Sequence, residues 1–261
     1  MLKLLLAGAL VGAAYAGRRL TLKFSPGLEN ITFLAIGLNP LLLIEGPGNG
    51  HNDIVFVALL LIGAVCYYDQ KFAAAALLLG LSVGIKPITL AILPWALLDY
   101  SWGRSWRQTL TGAAAAIALI LLPLAVLIIP FWAGPNTLEA MHDRTGIFQR
   151  NAGIDHVILV VIYLGLTFWL WRWRKPDGWL TASALFSVAL MFLFLAPPFP
   201  WYIVWFAPIF LLRWDRWHLA FSIFSLCLSF IFLQQYEMLT PNSQPAHHRW
   251  LSSDGKWFTK D

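Results

Sequence analysis

Residues Leu110–Phe131 read LTGAAAAIALILLPLAVLIIPF, an apolar run without one charged side chain. Crossing the hydrocarbon of a bilayer takes roughly 17–25 such residues, because an α-helix rises about 1.5 Å per residue. The run predicts a transmembrane helix, and its alanines, Ala113–Ala116, suit close packing against a neighbour. The sequence on either side repeats the pattern. Further apolar segments centre on Met1–Ala16, Ile31–Ile44, Ile54–Tyr68, Phe72–Ile85, Ile88–Leu98, Val157–Trp171, Leu180–Leu195, Tyr202–Leu212 and Leu219–Leu233. Together they predict an all-α chain, a polytopic transmembrane helix bundle of about ten helices over residues 1–233, followed by an extracytoplasmic polar tail over 234–261. Composition agrees. With 59% hydrophobic and 12% charged residues among 261, and a mean hydropathy of +0.68, the chain has too little polar surface to cover a soluble globule.

The connections fix an orientation. Arg18, Arg19 and Lys23 fill one loop, Lys71 a second, Arg104 and Arg107 a third, Arg172, Arg174 and Lys175 a fourth, Arg213 and Arg216 a fifth. Short translocated loops avoid Lys and Arg, so these five face the cytoplasm. Glu45–Asp53, the Lys86-Pro87 break, Trp132–His156, Pro197–Trp201 and the tail then face outward. Many of the 14 tryptophans, among them Trp102, Trp106, Trp171, Trp173, Trp214 and Trp217, flank the charges, as indoles at a headgroup layer do. The net charge of +5 is spread over these short anchors, which excludes a nucleic-acid surface. Cys66 and Cys227 lie in apolar stretches and predict no disulfide and no thiolate metal site. Met1–Ala16 has one competing reading. Its early Lys3 and its Ala14-Tyr15-Ala16 end mimic a signal peptide, but cleavage there would turn every basic loop outward, against the charge bias.

One outward loop is dense in chemistry. Between two apolar helices stands Asn39-Pro40-Leu41-Leu42-Leu43-Ile44-Glu45-Gly46-Pro47-Gly48-Asn49-Gly50-His51-Asn52-Asp53. Its glycines and proline permit a tight turn and close backbone approach to a ligand. Asp53 falls in the first turn of the next helix, where an ordinary N-cap by Asn52 or Asp53 would account for it alone. That does not account for Glu45 and His51 beside it. Ionisable groups at a membrane boundary are costly, and their clustering predicts a polar cavity. Lys86 follows a small-residue helix (Gly80, Ser82, Gly84) and precedes Pro87, which puts its ammonium on the same side as Asp53. There it either anchors a helix end by snorkelling or holds an anionic phosphate headgroup as a point charge.

From Asn39-Pro40 through Glu45 and Gly50-His51-Asn52-Asp53, a short basic turn, the small-residue helix ending in Lys86, and Leu93-Pro94, the chain resembles the GT-C superfamily of membrane glycosyltransferases. Within it the likeness is to bacterial mannosyltransferase-like enzymes that use polyprenyl-phosphate sugars. A second patch, Pro200-Trp201-Tyr202 with Trp205 and Pro208, looks like a Pro-Trp-Tyr element late in those proteins. The resemblance implies transfer of a sugar, often mannose, from a polyprenyl-phosphate-linked donor to a glycan or lipid acceptor outside a bacterial inner membrane. It implies that Glu45, His51 and Asp53 are the catalytic candidates and that Lys86 meets the lipid phosphate. It also implies that Asn49, Asn52, Trp201 and Tyr202 line the substrate cavity. No cofactor, metal or nucleic acid is called for. The sequence departs from the family in one respect. The family's base is an acid in the first extracytoplasmic loop, and nothing here matches that loop, so either the chain lacks the N-terminal part of such an enzyme or Asp53 serves another role than base.

Other polar groups carry less. Glu139, His142 and Asp143 share one helical face by spacing, which suits a metal but equally a solvated loop; Arg144 and Arg150 are candidates to pair with an anionic donor. His247 and His248 sit in the polar tail, read as surface-lying. A secondary transporter, a non-catalytic membrane subunit and a truncated transferase fragment are the competing readings. The transporter predicts charges deep in the helices and internal repeats, whereas here the ionisable residues gather at helix ends.

Overall fold

The computed structural model describes residues 1–131, 153–194, 200–239, 250–251 and 257–258. Within them, up to Leu239, the chain is a helical membrane bundle of eleven α-helices: α1 Leu2–Phe24, α2 Glu29–Gly37, α3 Pro40–Leu43, α4 Asp53–Tyr68, α5 Phe72–Ile85, α6 Thr89–Ser101, α7 Trp106–Ile128, α8 Ile154–Trp173, α9 Gly178–Phe194, α10 Ala207–Phe210 and α11 Arg216–Leu239. A π-helical turn, Ile44–Gly48, prolongs α3, and a 3-10 turn, Pro200–Trp205, leads into α10. Beyond α11, Trp250–Leu251 and Trp257–Phe258 pair as a two-residue antiparallel ladder.

Two helices, Trp106–Val126 within α7 and Ile154–Trp173, are long and apolar enough to cross a membrane; α2 with the Pro40–Gly48 segment, bent by 45°, makes a third if counted as one span. The outer faces of α7 and α8 leave Ile117, Leu121, Leu122, Val157, Val161 and Leu164 exposed. In water such a continuous apolar surface would associate; in lipid it is the solvated face. Asp53–Tyr68, Phe72–Ile85, Gly178–Leu193 and Arg216–Leu228 are apolar but shorter. The segment expected over Ile31–Ile44 is not one straight helix. Asn39 stops α2 and starts α3, its side chain accepting from the backbone N–H of Leu41 (3.0 Å) and Leu42 (3.3 Å), with Pro40 in the first turn.

At the centre, α4 packs against α1 and α5, and α5 against α7. Gly80 makes the α5–α7 approach possible: a Cβ there would lie 2.7 Å from the Ile120 carbonyl oxygen. Ile54, Val57, Leu60, Leu61 and Ala64 of α4 are buried with Trp95, Trp179 and Phe206.

The five basic connections meet at one end of the bundle. Asp69, just past the C-terminus of α4, pairs with Arg19 (3.0 Å) and Lys23 (2.8 Å). Arg104 lies over the Phe72 ring at the start of α5, and the Tyr68 hydroxyl donates to the Pro176 carbonyl at 2.6 Å. Arg213 pairs with Asp177 at 2.7 Å. Thr21 donates to the Leu212 carbonyl and Thr32 to that of Leu211. Asp53 opens the same 16-residue helix that Asp69 follows, so the acidic loop lies about 24 Å away at the opposite end.

Candidate functional site

At that opposite end the backbone is shaped before any side chain is placed. The π turn widens the helix around Pro47, a local distortion common at functional sites. Gly50 then takes φ +85°, the left-handed region that other residues avoid, and the His51 N–H closes the loop on the Glu45 carbonyl at 3.0 Å. Asn52 is the N-cap of α4 without a side-chain capping bond. On the facing segment, Pro87 disfavours helical geometry in the residue before it, and Lys86 accordingly ends α5 with φ −141° and ψ 114°. Ser82 holds this end of α5, donating to the Phe56 carbonyl at 3.3 Å and bonding the Thr89 hydroxyl at 3.0 Å.

Two groups of side chains result. In the first, the buried Asp53 carboxylate receives the Lys86 ammonium at 3.2 Å and the Trp205 indole N–H, both on Oδ1. Lys86 also lies 5.8 Å from the Trp205 ring centroid. The acid at the helix N-terminus is thus no cap; it is a partner for groups on α5 and on the 3-10 turn. In the second, Glu45 is fully buried. Its Oε2 lies 3.4 Å from His51 Nε2 and accepts from Asn49 at 3.3 Å, while its Oε1 has no hydrogen-bond partner among the described residues. The His51 ring stacks on Trp201, centroids 4.3 Å apart and planes within 23°. Trp201, Tyr202 and Trp205 continue as one aromatic wall, with centroid separations of 5.8 and 5.0 Å. Burial lowers the pKa of the His51 imidazole from its ordinary value, Asp53 opposing and Lys86 reinforcing the effect.

The structure therefore brings together Glu45, Asn49, His51, Asp53, Lys86, Trp201 and Tyr202. Asn52 adjoins them in sequence only; its residue is exposed. Arg144 lies outside the described residues, as do Glu139, His142, Asp143, Arg150, His247 and His248. The sequence placed Trp205 in the aromatic patch but gave it no role, and here it is the hydrogen-bond donor to Asp53. A Trp four residues after Trp201, in a chain whose loop acid lacked a donor, was the available clue. Among the described residues no group of His, Cys, Asp and Glu is arranged to hold a metal ion.

Such a site combines a cation beside a carboxylate, a flat aromatic wall and an imidazole–carboxylate pair at the end of a hydrophobic bundle. It suits a ligand with an anionic group and a sugar-like ring face.

Comparison with known proteins points the same way. Residues 1–102 match the model of the MptA/B family, described as the N-terminal domain of α-(1→6)-mannopyranosyltransferase. That stretch holds the Glu45–Asp53 loop and Lys86 but not Trp201 or Trp205. The chain is also 25% identical over 201 residues to α-(1→6)-mannopyranosyltransferase A of Mycobacterium tuberculosis, an alignment covering 64% of this chain and 39% of that protein. The chain thus spans well under half the length of the relative it matches. No solved structure matches it. These likenesses agree with the glycosyltransferase resemblance read from the loop, and mark the chain as mannosyltransferase-like.

Proposed function

We propose that this mannosyltransferase-like chain transfers a mannosyl group from a polyprenyl-phosphate-linked donor to a glycan or lipid acceptor. The reaction takes place at the Asp53–Lys86 end of the bundle, outside the bacterial inner membrane. The observation that carries the reading is the Lys86 ammonium held on Asp53 beneath Trp205, with the Trp201–Tyr202 wall alongside. A lipid-linked donor enters from the bilayer and needs a cation for its phosphate, not a nucleotide fold. Lys86 supplies that charge where negative charge grows as the phosphate departs. Asp53 fixes the ammonium, and the wall offers a flat apolar surface for a sugar ring. An outer position for this site is supported by the basic loops at the far end, since short translocated loops avoid Lys and Arg.

The test is transfer of radiolabelled mannose in proteoliposomes from polyprenyl-phosphate mannose. We expect lipid-donor-dependent transfer that Lys86→Ala weakens through the donor KM. Transfer supported by a nucleotide-linked sugar, and by no lipid-linked one, would sink the reading.

A further inference from the structure

We propose that a cleft among α5, α6 and α7 holds an acyl chain of an anionic phospholipid, whose phosphate meets Arg104 at the basic end of the bundle. The inference stands apart from the transfer reading and concerns the opposite end of the molecule.

The cleft follows from where the helices touch. α5 and α7 meet most closely at Gly80, where a Cβ would lie 2.8 Å from both the Ile120 Cα and the Pro123 ring. That crossing lies eight residues along α5 from Phe72, so it closes the cleft about 12 Å above the basic end. Below it the helices leave room, and α6 supplies the third wall. Ala76 and Leu79 of α5, Leu97 and Tyr100 of α6, and Gly112 and Ala116 of α7 line a cavity of about 260 Å³. Ala73 and Ala115, at its edges, are exposed, so the cleft opens sideways on the surface that α7 presents to lipid. Its wall offers water little. The Tyr67 hydroxyl, at its base, already donates to Asp99 at 2.6 Å. A space lined in this way stays dry and forfeits dispersion contacts along its walls, which a hydrocarbon chain entering from the bilayer restores.

The rim at the basic end says which lipid. The Arg104 guanidinium lies 4.0 Å from the Tyr100 ring centroid and 5.2 Å from that of Phe72, and it donates to the Tyr100 carbonyl. Both rings belong to the lining. Lys71 precedes Phe72, and Arg107 stands in the first turn of α7. None of these three cations has a carboxylate within ion-pair distance among the described residues. The acids nearby are engaged, Asp69 with Arg19 and Lys23 and Asp99 with Tyr67. Unmatched cations at the mouth of an apolar cleft complement a phosphate that carries an acyl chain. A choline headgroup brings its own cation and suits that rim less. A helix of a second copy, about 10 Å across, is too thick for the cleft.

Photolabelling tests this. The full chain is reconstituted in vesicles of equal parts phosphatidylcholine and phosphatidylglycerol. A trace of one or the other lipid carries a photoactivatable group halfway along an acyl chain, and labelled positions are read by mass spectrometry. We expect the phosphatidylglycerol probe to label Ala76, Leu79 or Ala116 about fivefold more than the phosphatidylcholine probe. Arg104→Gln should bring the two probes to parity. Ala116→Phe, which fills the cleft and leaves every charge in place, should remove the labelling by both. Equal labelling by the two probes in the wild-type chain, or labelling that survives Ala116→Phe, overturns the proposal. So does displacement of the probe by polyprenyl phosphate and not by unlabelled phosphatidylglycerol, which gives the cleft to a prenyl chain. The two probes are compared in the wild-type chain, so that comparison decides the point even where a variant fails to fold.

Discussion

The two ends of the bundle handle charge in opposite ways. At the basic end the acids with ion pairs have several partners: Asp69 at the surface pairs with Arg19 and Lys23, the buried Asp177 with Arg213 and the Thr181 hydroxyl, and His218 meets Asp215 at 3.0 Å. At the other end two acids, Glu45 and Asp53, are buried, one matched by a single cation and an indole and the other left with an unpartnered oxygen. Exposed ion pairs contribute little and cost little, whereas burying a pair costs desolvation that its attraction does not always repay. The unmatched burial at the Glu45–Asp53 end is what the proposed function draws on.

The contrast fails if the two ends respond alike to loss of charge. The largest effect should follow Lys86→Met, which strands Asp53 as a buried unpaired anion. We expect about 3–5 kcal/mol lost in equilibrium unfolding in mixed micelles, and Asp53→Asn placed on the same background should recover part of it. Trp205→Phe keeps the ring but removes the donor to Asp53, and should cost about 2–3 kcal/mol in the same titration. At the basic end, Asp177→Asn weakens the bonds from Arg213 and Thr181, and about 1–2 kcal/mol is expected. Asp69→Asn, between side chains that are largely solvated, should change stability by less than about 1 kcal/mol, and that difference should vanish at high salt.

A further effect is on pH. Burial alone would raise the Asp215 carboxyl, but hydrogen bonds from the His218 side chain and backbone, with the charges of His218 and Arg213, outweigh it and set it at about 2. A folded-state value below the ordinary 3.8 adds stability that is fully present above 3.8 and lost as pH falls toward 2. Thermal unfolding followed over that window should show the loss, and Asp215→Asn should flatten it.

Much of this was legible in the sequence, for physical reasons that differ by residue. Apolar runs such as Leu110–Phe131 announce themselves because lipid requires length and apolarity together. The five basic loops converge at one end as charge bias demanded. The Glu45–Asp53 loop and Lys86 were readable as neighbours because they lie on adjacent helices. The π turn was not, since nothing local distinguishes Pro47 in a widened helix from Pro47 in a loop. Nor was the Asp53–Trp205 bond, whose partners stand 152 residues apart. Periodicity carries no information about such a pairing, and an N-cap by Asp53 looked as natural until tertiary contacts supplied its donors.

That 152-residue separation has a consequence for how the protein comes into being. Synthesis runs from the N-terminus, so the Glu45–Asp53 loop and Lys86 reach the membrane long before the aromatic turn exists. Asp53 and Lys86 can enter as a pair, each cancelling the other's charge while the later helices are still on the ribosome. Trp201 and Trp205 then arrive as the closing wall, and the cluster is complete only once the last third of the chain has folded back on the first.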